Sequence, residues 1–343
     1  MPGMNLSVSP AQMPEILQDM ARANLVCNIT SSPGSGKSQI VDQFIEKNNL
    51  HLVDKRLAQS EPVDLNGYPM LNQETKKMIF APDEDFILKG EPIPNKKSGV
   101  CLFLDEITGA SRSTAGAAYK LVLDRKVGNQ PLHPKTVIIA AGNHKTDKAI
   151  VNDLGTAMKS RLVNITMTTN PEDWTNWAVK NAIDHRVVSF IKFKPTLLHN
   201  FKQSKHDESF SCPRTWAFVS NYVTSKQTLN HIDLVVMAGC IGEGAATEFK
   251  TFSNIYKRLP TIETIIDSPA TFTIKDEPSV QYALSTLIAY NIEKAPSELL
   301  MALERFPVEF AVVCLREAIT RNPAIYDLQP VVDWCSDHSD LLF

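Results

Sequence analysis

Short apolar runs and amphipathic stretches alternate along the first half of the chain. Residues 25–29, 50–55, 100–104 and 136–141 each read as a strand bounded by polar or turn-forming residues. Residues 10–23 predict a short amphipathic helix, with Ser9 as N-cap and Pro10 at the first helical position. In the stretch 37–48, Ile40, Val41, Phe44 and Ile45 fall on one helical face. Strand and helix patterns alternate over 24–168, which predicts an α/β layer with a parallel sheet. After Asn170-Pro171 the strand signals stop, and helical patterns run over 171–182, 187–201, 213–224 and 233–256. Pro260, Pro269 and Pro278 mark 259–279 as a linker, and a last helical piece follows. The expected domains are therefore an α/β domain at 1–170, a helical domain at 171–258, the linker 259–279 and a helical extension at 280–343.

Composition narrows the function classes. The 343 residues are 43% hydrophobic and 21% charged, enough to bury a sizeable core in two domains or slightly more. Lys and Arg number 35 against 38 Asp and Glu, a net charge of −3, too balanced for an obligate nucleic-acid coat. No apolar run approaches the roughly 20 residues that a bilayer requires, so no membrane partner is expected. The six cysteines are scattered without a C-x-x-C pair and read as thiols in a reducing compartment. Residues 1–13 lack the basic start and apolar stretch of a secretory leader, and the cytoplasm is the expected location.

Candidate chemistry begins in the loop 31–38, S-S-P-G-S-G-K-S, between the strand at 25–29 and the helix at 37–48. A phosphate-binding loop needs curled backbone N–H groups at a helix N-terminus, a lysine for the outer phosphates and a hydroxyl for Mg²⁺. Pro33, Gly34, Ser35, Gly36, Lys37 and Ser38 supply these parts in order. Ser31 stands where the usual motif has its first glycine, so the strand must leave that position in an ordinary backbone conformation or carry strain. The strand at 100–104 ends in Asp105 and Glu106. An acid at a strand's carboxyl end can orient water on Mg²⁺, and its neighbour can polarise an attacking water. The strand at 136–141 leads to Asn143, whose amide can hold that water or can simply close a turn.

With these features in place the sequence resembles the AAA+ ATPases, and within them the MoxR-like branch of bacteria and phages. The similarity rests on EPVDLNG at 61–67, LDEI at 104–107, AAYKLVLDRKVG at 117–128, AAGN at 140–143 and PRTW at 213–216. Over about 12–258 it implies a P-loop AAA+ core with a parallel sheet and then a helical lid domain; the helical C-terminal extension read from the pattern completes the expected fold. The resemblance also implies Mg-dependent ATP hydrolysis by a ring homo-oligomer, usually a hexamer, that remodels a protein client. A von Willebrand A-type or metallopeptidase-like partner is common in the family. Arg161 then takes the place of an arginine finger reaching a neighbour's γ-phosphate, and Arg214 that of a lid arginine, with Arg125 and Lys159 as lesser candidates.

The expected assignment is Ser38 and Asp105 for the metal, and Glu106, Asn143, Arg161 and Arg214 for catalysis. A nucleic-acid-stimulated motor and a P-loop small-molecule kinase are the alternatives. Residues 67–72 and 76–82 are also expected to pair as a hairpin about the polar turn 72–75, in a region where the family carries an insertion facing the ring axis. Trp174, Trp177 and Trp216 are expected in the helical core.

Overall fold

The structure, a computed structural model, describes residues 6–144, 155–201, 209–256, 259–275 and 277–338. The chain divides into two units, Met1–Thr169 and Asn170–Phe343.

The first unit opens with α1 (Met13–Arg22), followed by β1 (Cys27–Ser31), α2 (Lys37–Lys47) and β2 (Leu50–Arg56). Next come α3 (Pro62–Asn66), the short strands β3 (Tyr68–Leu71) and β4 (Met78–Ala81), and β5 (Gly99–Asp105). Then follow α4 (Arg112–Asp124), β6 (Lys126–Val127), β7 (Gln130–Pro131), β8 (Thr136–Asn143), α5 (Gly155–Lys159) and β9 (Val163–Thr166). Five strands form one sheet in the order β2-β5-β8-β1-β9, and each adjacent pair is parallel.

Successive residues of a strand face opposite sides, and here both sides are covered. Cys101, Phe103, Ile139 and Ala141 pack with α1 and α2 through Met13, Leu17, Ile40, Val41 and Phe44. Leu102, Leu104, Ile138 and Ala140 pack with α3 and α4 through Leu65, Ala117, Ala118, Leu121 and Val122. This is the expected α/β class, a parallel sheet with helices on both faces, followed in the chain by a helical unit.

Three details depart from the sequence expectation. Helix α1 begins at Met13, a turn later than predicted, because Pro14 occupies the first turn; Ser9 caps nothing and its backbone N–H instead donates to Gln12 Oε1 at 2.9 Å. Strand β1 runs two residues past the predicted stretch and ends on Ser31. Strand β9 carries no alternation strong enough to have been predicted; its V-N-I-T is made a strand by pairing with the sheet's edge at β1.

The second unit is helical: α6 (Pro171–Lys180), α7 (His185–Phe193), α8 (Pro213–Val223), α9 (His231–Ile241), α10 (Glu243–Tyr256), α11 (Ile262–Asp267), α12 (Pro278–Ala289), α13 (Pro296–Leu303), α14 (Val308–Arg321) and α15 (Gln329–Asp337). Pro195 ends α7 well before residue 201, and Gly242, at a φ of 82°, separates α9 from α10 where one helix was expected. One apolar core gathers Trp174, Phe190, Trp216, Phe249 and Phe252, and a second gathers Leu284, Ile288, Leu299, Leu315 and Trp334. The stretch 259–279, read above as a linker, contains α11. Its Ile262, Ile265 and Phe272 are buried in the second of these cores, because isoleucines at i and i+3 of one helical turn share a face.

Among the described residues, no helix is long and apolar enough to cross a membrane.

Candidate active site

The site is assembled at the carboxyl ends of three adjacent strands. β8 lies between β1 and β5, so the last residues of these strands, Ser31, Asn143 and Asp105, come side by side. In register, Ser31 pairs with Asn143 across the β1–β8 ladder. Open parallel sheets bind ligands outside this edge, where side chains emerge from the layer and loops are free to shape a crevice.

The loop after β1 turns through Gly34 and Gly36, at φ values of 73° and 95°, a region that residues with a Cβ enter at a cost. Gly36 is the N-cap of α2, so the helix begins directly at the loop, and a helix N-terminus favours an anion. Ser31 keeps an ordinary extended backbone as the last residue of β1; its departure from glycine is accommodated without positive φ.

Lys37 leaves α2 and folds back over the loop. Its Nζ donates to the Ser31 carbonyl at 3.2 Å, to Ser31 Oγ at 3.1 Å and to the Ser32 carbonyl at 3.4 Å. It also donates to Asn143 Oδ1 at 2.9 Å. Ser38 Oγ donates to Asp105 Oδ2 at 3.3 Å. A hydroxyl and a carboxylate oxygen side by side are hard donors of the kind Mg²⁺ takes, and Ser38 with Asp105 would hold it.

Glu106 follows at the tip of β5 in the left-handed region, φ 55° and ψ 34°, at a cost on the order of 1 kcal/mol for a residue with a Cβ. Its backbone N–H donates to Asp105 Oδ1 at 2.8 Å, which ties the Asp105 carboxylate to the turn as the chain leaves the strand.

One participant carried no sequence signal. Thr108 Oγ1 accepts the Asn143 backbone N–H at 3.0 Å, and a Cβ added to Gly142 would meet Thr108 Cγ2 at 2.7 Å. The turn after Glu106 thereby fixes the end of β8. A hydroxyl three residues after Asp105 is the one feature that could have suggested it.

The remaining candidates sit elsewhere. Arg161 follows α5, its guanidinium stacked over the Tyr119 ring at 4.4 Å with Nη1 donating to Ser160 Oγ at 3.1 Å. Lys159 is the exposed last residue of α5. Arg125, the C-cap of α4, donates to the Thr136 carbonyl at 2.8 Å and the Asn24 carbonyl at 3.3 Å. It braces the start of β8, and burial holds its pKa below the ordinary value. Arg214, in the second unit, is the exposed second residue of α8, whose first turn is closed by Cys212 N–H donating to Thr215 Oγ1 at 2.9 Å.

Residues 68–81 form the expected hairpin, β3 against β4, with the Asn72 side chain accepting the N–H groups of Glu74 and Thr75. Tyr68, Met70, Leu71, Met78, Ile79 and Phe80 are all exposed on it.

No family model matches the sequence, and no curated protein does either. Solved structures are similar at low identity. A DNA polymerase III gamma-subunit-related protein from Thermotoga maritima is 12% identical over 98% of this chain and 99% of its own, with a TM-score of 0.38. NtrX from Brucella abortus in complex with ADP is 14% identical over 96% of this chain and 67% of its own, with a TM-score of 0.36. Likenesses this remote assign no chemistry, which rests on the residues above.

Proposed function

We propose that the chain is a Mg²⁺-dependent ATPase of the AAA+ type, in its MoxR-like branch, working as a ring that acts on a protein partner. The observation that carries the reading is the convergence of Lys37, Ser38, Asp105 and Asn143 on one end of the parallel sheet. A phosphate loop alone would fit many nucleotide-binding proteins. A second strand bringing Asp105 to Ser38, and a third bringing an amide to Lys37, fit a site that cleaves a triphosphate.

In this mechanism the amides around Gly34 to Ser38 bind the phosphates, and the Lys37 ammonium neutralises charge on the outer ones. Ser38 and Asp105 would hold Mg²⁺, whose chemistry there would be to offset phosphate charge. Glu106 accepts a proton from the attacking water, and Asn143, whose Oδ1 already serves Lys37, offers its Nδ2 to orient that water. Arg161 of an adjoining copy adds positive charge as the transition state forms, because a guanidinium stays ionised and matches phosphate oxygens in a planar fork. The exposed apolar hairpin β3–β4 is the proposed contact for the client.

The test is phosphate release from ATP by the intact chain and by Glu106→Gln. The variant is expected to bind ATP while its turnover falls by roughly 10² to 10⁴-fold, the usual worth of a general base. Turnover by Glu106→Gln at the wild-type rate would remove Glu106 from the mechanism, and an intact chain that releases no phosphate would refute the hydrolytic reading.

A further inference from the structure

The Ser31 side chain is fully buried at the start of the phosphate loop, in the position where the ordinary motif has none. A buried hydroxyl must find partners, and both polar side chains that this one meets belong to the loop itself. Ser31 Oγ accepts a hydrogen bond from Lys37 Nζ at 3.1 Å, and it lies 2.5 Å from Ser35 Oγ and 3.4 Å from the Ser32 carbonyl. Ser35 is itself buried and occupies the turn between Gly34 and Gly36. One hydroxyl therefore ties the loop's entry to its tip and to its lysine.

A glycine here would take this acceptor from Lys37 and this neighbour from Ser35. Backbone carbonyls accept hydrogen bonds but cannot donate one. A hydroxyl does both, since it carries one donor and two acceptor sites.

We propose that Ser31 is a positioning residue: its hydroxyl sets the ammonium of Lys37 and the hydroxyl of Ser35 for the outer phosphates of the nucleotide. The proposal rests on the phosphate-loop reading and deepens it, giving this loop an internal brace that a glycine at its first position would lack. The charge that Lys37 presents is thereby held in place through the side chain of the strand's last residue, in register with Asn143.

The test uses Ser31→Ala and Ser31→Gly in the full chain, with two readouts. The first needs no nucleotide: the rate of Lys37 acetylation by acetic anhydride across pH, followed by mass spectrometry. Loss of one ordinary hydrogen bond to the ammonium is expected to raise that rate about fivefold in both variants. The second is ATP turnover, where kcat is expected to fall by about fivefold or more with KM changed far less. A merely structural role would lower the melting temperature and leave the labelling rate alone.

Wild-type labelling in both variants would overturn the proposal, as would wild-type kcat in Ser31→Gly. If labelling responds but the intact chain releases no phosphate from ATP, the brace stands and the hydrolytic reading fails, so the two failures are distinguishable.

Discussion

Lys37 and Asn143, 106 residues apart, are joined by a 2.9 Å hydrogen bond from ammonium to amide oxygen. Asn143 is held in turn through its backbone N–H by Thr108, whose methyl group lies where a Cβ on Gly142 would go. Gly142→Ala is therefore expected to push Thr108 aside and shift Asn143. Overpacking of this kind costs about 1–3 kcal/mol of stability. Turnover is expected to fall by roughly 10²-fold, since misplacement of about 1 Å suffices for that. Steady-state phosphate release with a parallel thermal melt checks it; wild-type turnover would show that the Thr108 contact does not position the amide.

If Arg161 serves the neighbouring copy's site, its loss and the loss of Lys37 damage different sites. Arg161→Ala is expected to lose about 10³-fold or more in rate. Mixing it with inactive Lys37→Ala should recover part of the activity, because some seams then pair an intact loop with an intact arginine. Mixtures no more active than their components would sink the shared-site idea, as would full turnover by a demonstrably monomeric sample.

The hairpin carries exposed apolar side chains on both of its faces, with Tyr68 and Met70 on one and Leu71 and Phe80 on the other. Two strands alone hold such a ribbon only weakly, and an exposed apolar patch of this kind fits a protein contact. Tyr68→Ser with Met70→Ser is expected to leave basal ATP turnover within about twofold and to abolish its stimulation by whatever protein co-purifies with the chain. Undiminished stimulation by that protein counts against the hairpin as the contact.

Acid should loosen the helical unit through Asp233. Its carboxylate accepts the Asn230 backbone N–H at 2.7 Å, the Lys226 ammonium at 2.9 Å and the Tyr222 hydroxyl at 2.9 Å. Led by the Asn230 backbone bond, these hold its pKa at about 2 against the ordinary 3.8. A group depressed in the folded state stabilises above its unfolded pKa, and the contribution is lost as pH falls from about 3.8 toward 2. Asp184, held low against its burial by Arg186, adds in the same direction. Asp233→Asn should therefore melt below wild type at pH 7, followed by the fluorescence of Trp174 and Trp216 in the same core, with the gap closing toward pH 2. A gap independent of pH would mean that its charge contributes nothing.

Much of this was legible in the residues. The loop 31–38, the acids at 105–106 and the paired runs at 67–82 announce themselves by local pattern, since backbone geometry and strand periodicity are written within a few residues of each other. The α/β class followed from the alternation of those patterns before any contact was known. Strand β9 did not, because four residues at an edge gain their conformation from the ladder beside them and not from their own propensity. Nor could the break at Gly242 be separated from an uninterrupted helix: apolar spacing continues across it, and only the backbone turn shows the stop.

What the sequence by itself determined is which chemistry the chain carries: a lysine, hydroxyls, two acids and an amide, each at the end of an apolar run. What only the tertiary structure decided is that they meet. The order β5-β8-β1 makes Asp105, Asn143 and Ser31 neighbours although the chain visits them in another sequence, and Ser31, an apparent defect in a motif, becomes one of the groups that accept a hydrogen bond from Lys37. The reason is that strand order is chosen by burial of whole sheet faces against helices, a collective balance that no short stretch of sequence records.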